Sequence, residues 1–176
     1  MDFEQADILN EAIRAVGVRH RALAIAALAP FGIHPGHKLL LFELDDGGPH
    51  TQAALAAATG FEPPTITLSV RQLESAGLVV RRSDPGDRRT TLVELSDAGR
   101  ALMPKLRAAW SELADEIVAG LTATPLEQLV DALSDLAASL DTLHEHSRDD
   151  PAREPAPALP RDIARRRAAG RRPRGS

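Results

Sequence analysis

Asp84-Pro85-Gly86-Asp87-Arg88-Arg89 places two carboxylates, two guanidinium groups and two strong turn formers in six consecutive residues. β-Branched runs at Leu78–Arg82 and Thr90–Leu95 flank residues 83 to 89, so the segment reads as the polar tip of a β-hairpin. Side chains two apart on a strand share a face. Asp87 is therefore expected to pair with Arg89 and hold it extended, with Arg88 pointing the other way. A braced guanidinium at a hairpin tip suits the narrow, electronegative minor groove of DNA.

A second group lies just upstream. Thr65, Thr67, Ser69, Arg71 and Gln72 are the polar side chains of a short segment that starts sharply at Pro63. Hydroxyls reach phosphate oxygens or thymine edges, arginine suits guanine or phosphate, and glutamine suits adenine. Taken alone, such a face is more often merely solvated. The hairpin that follows it directly argues for a surface that meets a polyanion.

Other chemistries find less support. The chain has no cysteine, so disulfides, cysteine–zinc sites and thiol catalysis are excluded. His34 and His37 are three apart and His144 and His146 two apart, without the further ligands a metal site needs. His34 and His37 are expected to cap or pack a helix start. No metal and no cofactor is expected. No nucleophile–base grouping and no glycine-rich phosphate loop occurs, which argues against an enzyme.

The elements that must position these residues follow from periodicity and punctuation. Residues 3–29 read as a long helix with Leu9, Ile13, Val16, His20, Leu23 and Ala27 on one seam. Pro30 and Gly32 end it, and Pro35 opens a second helix that is largely buried through Leu39, Leu40, Leu41 and Leu44. A turn at Asp45–Pro49 leads to Thr51, the cap of a short third helix over Gln52–Thr59 that Gly60 stops. Pro63 starts a fourth, with Ile66, Val70 and Leu73 inward and Gly77 at its end. After the hairpin, Ser96 caps a fifth helix, and Thr124, Pro125 and Glu127 open a sixth. Leu126, Leu129, Leu133, Leu136, Leu140 and Leu143 give that last helix a coiled-coil-like seam.

The fold class is thus mainly α with a small β-hairpin (α+β): a winged helix-turn-helix over 35–95, framed by helices at 3–29, 97–121 and 125–145. One domain fills 1–146. Residues 147–176, rich in Pro, Ala and Arg, read as a disordered tail.

The net charge of −4 hides a strong asymmetry. Residues 147–176 carry nine Arg against four acids, and residues 63–93 five Arg against three. The acidic N-terminus is not a secretory signal, and no apolar run approaches the roughly 18 residues of a membrane span. Both fit a cytoplasmic protein.

Three stretches resemble one known family. Leu73-Glu74-Ser75-Ala76-Gly77-Leu78-Val79, Asp84-Pro85-x-Asp87-Arg88-Arg89 and Leu95-Ser96-Asp97-Ala98-Gly99 are similar to signature segments of the MarR (multiple-antibiotic-resistance regulator) family. The likeness in element order runs from about residue 5 to 145. The resemblance implies a triangular homodimer built on the first, fifth and sixth helices. It implies a 63–72 helix that reads bases in the major groove of a pseudo-palindromic operator, and Arg89 in the minor groove. It also implies a pocket for a small, often phenolic or anionic, effector between the dimerisation helices and the winged domain. His20 is a candidate contact to that effector. Leu68 stands where many members carry a basic residue. The expected function is a dimeric transcriptional repressor released by a ligand; the alternative is a winged-helix module that binds protein.

Overall fold

The computed structural model describes residues 1–148. In chain order these form α1 (Phe3–Leu28), a single 3-10 turn (Ala29–Phe31), α2 (Pro35–Gly47), α3 (Gln52–Thr59), α4 (Pro63–Ser75), β1 (Val79–Ser83), β2 (Thr91–Leu95), α5 (Asp97–Ala119) and α6 (Leu126–Arg148). The strands begin one residue later than the sequence implies, and α6 extends to Arg148, two residues into the expected tail. The rest of that tail lies outside the described residues. α2 also runs through Asp45 and Asp46, which the sequence reading assigns to a turn.

Local signals explain the element ends. Thr51 Oγ1 accepts the Ala54 N–H at 3.1 Å and Ser96 Oγ accepts the Gly99 N–H at 3.0 Å, each satisfying a helix-start donor. At the end of α4, Gly77 takes φ +71°. The Leu78 N–H then reaches back to Leu73 C=O and the Gly77 N–H to Glu74 C=O, both at 2.9 Å. This turn redirects the chain from α4 into β1.

β1 and β2 pair antiparallel, with Val79 opposite Leu95 and Ser83 opposite Thr91. His50 adds an isolated antiparallel bridge to Val93 through N–H···O=C bonds of 2.9 and 2.8 Å in the two directions. β2 therefore lies between β1 and a one-residue third strand that has no periodicity to betray it.

The core belongs to the winged domain. Leu40, Leu41, Leu55, Ile66, Val70, Val79, Val93 and Leu106 are fully or almost fully buried. α5 closes this core, and only the C-terminal end of α1, at Ala24 and Leu28, enters it. Elsewhere the seams foreseen for α1 and α6 are largely uncovered: Leu9, Val16, Leu23, Leu126, Leu133 and Leu143 are exposed, and Ile13, Ala27, Leu129, Leu136 and Leu140 are half-buried. α6 touches the rest of the protomer only marginally. Among the described residues, no single helix is long and apolar enough to cross a membrane.

Candidate nucleic-acid interface

α4 is built to show one face and bury the other. Glu62 precedes it in extended conformation, and prolines fill its first positions, where a missing N–H costs nothing. Ile66, Ser69, Val70 and Leu73 form its buried row. Thr65, Leu68, Arg71 and Gln72 are exposed. At 3.6 residues per turn, Leu68 falls in the middle of that face, with Arg71 on one flank and Gln72 and Thr65 on the other.

The structure sorts the polar residues foreseen here. Ser69 is only 8% exposed and belongs to the core side, because it follows Ile66 at a spacing of three and precedes Leu73 at four. The expectation that its hydroxyl faces outward is not met. Thr67 is half-buried; its hydroxyl lies 3.0 Å from Gln52 Oε1 and 3.0 Å from Pro63 C=O, tying α4 to α3. Gln72 Oε1 accepts from His37 Nε2 at 2.9 Å, which joins α4 to the start of α2. One lone pair of the Gln72 amide oxygen is thereby engaged, and its NH2 group keeps its donors. His37 and His34 do act at the start of α2: His34 Nδ1 accepts the Gly36 N–H at 3.2 Å. Burial, aided by nearby Arg21 and His37, pushes the His34 pKa below its ordinary value.

The wing tip differs in detail from the foreseen brace. Residues 87–89 lie in the turn, not on a strand, so the two-residue alternation does not apply. Asp87 accepts the backbone N–H of Arg89 at 3.0 Å and the Thr90 hydroxyl at 2.9 Å. Asp84 accepts the Gly86 N–H at 2.7 Å in the same way. The carboxylates thus shape the loop backbone, and Arg88 and Arg89 project from it exposed. These bonds, from the Arg89 N–H first and Thr90 second, hold the Asp87 pKa below the ordinary carboxylate range. Farther down the hairpin, Arg82 pairs with Glu94 at 3.0 Å and Arg81 with Glu74 at 3.2 Å.

A family model described as MarR family matches residues 31–90, the span from the end of α1 to the wing tip. A probable transcriptional regulator from Pseudomonas aeruginosa has a crystal structure similar to this one. It is 32% identical, with 75% of this chain and 96% of that one covered, at a TM-score of 0.64. This chain belongs to the MarR family. CouR from Rhodococcus jostii RHA1, solved bound to p-coumaroyl-CoA, is 28% identical over 75% of this chain and 93% of its own, with a TM-score of 0.64. A mutant of E. coli MarR complexed with operator DNA shares the fold at 24% identity, 80% and 99% coverage and a TM-score of 0.65. The winged helix of this MarR-family chain is therefore that of transcriptional regulators.

Two of the three family segments quoted from the sequence, 73–79 and 95–99, meet at one junction. The Leu78 carbonyl accepts the Ser96 N–H at 3.0 Å, and the Ser96 hydroxyl donates to Gly77 C=O at 2.6 Å. Gly99 packs so closely that a Cβ there would collide with the Leu78 carbonyl oxygen. The α4–β1 turn is thus seated on the start of α5.

Of a second cluster, at the junction of α1, α2 and α5, the sequence reading singled out only His20. Lys38 is only 7% exposed, with its ammonium 3.8 Å above the Trp110 ring and 4.8 Å above Phe42. His20 is exposed on α1 and meets Trp110 edge-on at 5.9 Å. Arg107 of α5 lies 5.0 Å over Phe42 and holds Asp45 and Asp46 of α2, each at 2.6 Å. An open cleft of about 250 Å³ runs nearby between α1 and α5, lined by Leu23, Ala26, Ala27, Ala109, Glu112, Leu113 and Glu116. His20 is not among its walls. A lone lysine in a leucine-rich helix gave the sequence reading no signal, because the nearer of its two aromatic partners, Trp110, is seventy-two positions away.

Proposed function

We propose that this protein is a homodimeric, sequence-specific DNA-binding transcriptional regulator of the cytoplasm, and that it represses a promoter until a small molecule releases it. One observation carries the reading: α4 presents an exposed donor face, and the chain then passes straight into a hairpin whose carboxylates shape a tip bearing two exposed arginines. Such a pair of elements serves a major groove and the minor groove beside it. Arg71, Thr65, Thr67 and the Gln72 amide act in the major groove, and Arg88 and Arg89 act at the minor groove or its phosphates. Asp87 acts indirectly, by setting the turn. The shared fold of a relative solved on operator DNA supports DNA binding by the winged helix.

Dimerisation rests on the exposed seams of α1 and α6, which one protomer leaves in water. Large exposed apolar faces mark interaction surfaces, and a second copy covers both. The CoA-ester-bound relative supports an effector site. In this chain the junction of α1, α2 and α5, with His20 and Trp110 beside a buried lysine, has the aromatic and cationic character that suits an aromatic or anionic ligand. Release of DNA requires that such a ligand prefer the non-binding state.

The test is binding of the full chain to a labelled fragment from upstream of its own gene, with excess competitor DNA and a salt titration. Saturable binding that resists competitor and weakens with salt is the expected result. Binding that competitor removes at every candidate fragment overturns the reading.

A further inference from the structure

Leu68 is 57% exposed in the middle of the α4 face, an apolar side chain surrounded by Thr65, Arg71 and Gln72. It contributes nothing to the core, whose α4 members are Ile66, Val70 and Leu73. A leucine at the centre of a donor-bearing helix face puts an apolar surface where that face would meet base edges. Building on the DNA-binding function proposed above, we infer that Leu68 reads a thymine C5-methyl group in each operator half-site.

The chemistry at this face selects that partner. In the major groove, thymine alone among the bases offers a methyl group, and it sits at the groove edge next to the O4 acceptor. The neighbours of Leu68 are donors. Arg71 has five N–H groups and no acceptor. His37 engages Gln72 Oε1 at 2.9 Å, which draws the oxygen end of the amide toward α2 and favours the NH2 group as the outward end. A face with an apolar centre and donor flanks complements a methyl group bordered by O4, N7 and O6 acceptors. It is a poor match for cytosine, whose major-groove edge offers only an amine donor. His37 is accordingly a positioning residue, since it biases which end of Gln72 faces the bases.

Deoxyuridine provides the test, because it keeps every hydrogen-bonding group of thymidine and lacks only the methyl. The operator is first selected from random duplexes with the full-length protein. Each thymidine of the selected site is then replaced singly by deoxyuridine. Burial of one methyl group corresponds to about a three- to fivefold change in affinity. That loss is expected at one position per half-site, and Leu68→Ala protein is expected to bind the thymidine and deoxyuridine duplexes equally there. Leu68 is exposed, so the variant should melt as the wild type does. Affinity indifferent to every replacement overturns the inference while leaving operator binding intact. So does discrimination that persists in Leu68→Ala. Failure to select any sequence would sink the regulator reading and this inference together.

Discussion

Arg89 leaves the wing turn with its backbone N–H fixed by Asp87 and its guanidinium exposed. Replacing it with Ala removes a charged groove contact while leaving the carboxylate bonds of the turn in place. Operator affinity should fall by about 1–3 kcal/mol with unchanged thermal stability, as read by titration and by melting. Asp87 carries a pH signature. Its folded-state pKa lies below the unfolded value, so the order it lends the tip is complete above the ordinary carboxylate range. That order is lost as pH falls through the lower folded value. Backbone shifts at Arg89 and Thr90 should therefore be flat from neutral pH down through the ordinary range and change only below it. A change centred near neutral pH would contradict this. The sequence made the identity of this turn legible, through Asp, Pro, Gly and paired arginines, but not its bonding. Alternation along a strand put Asp87 against the Arg89 side chain, whereas a tight turn brings the carboxylate to the backbone.

At the scale of elements, the α4–β1 turn and the start of α5 are fitted together with no spare room. Gly99→Ala should destabilise the fold by roughly 1–3 kcal/mol, because the new methyl meets a backbone carbonyl that cannot rotate away. Chemical denaturation would check this, and a neutral outcome would mean the junction gives way easily. The Arg107 bridge joins α5 to α2 of the winged domain. Its members are partly exposed, Arg107 by 44% and Asp45 by 28%. A double-mutant cycle on Arg107 and Asp45 should give a coupling of only about 0.2–1 kcal/mol for stability. Helix order, caps and stops were legible because they rest on neighbours in sequence, as at Thr51, Gly60, Ser96 and Gly77. The His50 bridge, the Lys38–Trp110 contact and the Arg107 bridge were not, because each joins residues far apart along the chain. Ser69 shows a further limit: counting polar residues on a helix is not the same as placing them by its period.

The whole protomer is an unfinished object. Its core closes over the winged domain, while α6 and most of α1 hold leucines and valines out to solvent. A charge placed in that seam, as in Leu133→Asp, should shift the protein from dimer to monomer in sedimentation and weaken operator binding, without touching α4 or the wing. The leucine repeat of α6 was plain in the sequence; that none of the other described elements covers more than a margin of it is visible only in three dimensions. A dimer of winged helices must also meet DNA at a fixed spacing, since two recognition helices on one face of a duplex contact half-sites about one helical turn apart. The most direct measurement is therefore the affinity of the full-length protein for its selected operator, against the same operator with about half a helical turn, roughly five base pairs, inserted between the half-sites. The account predicts that the insertion abolishes high-affinity binding and that restoring a full turn recovers much of it. Equal affinity at every spacing would contradict a dimer that reads two half-sites at once.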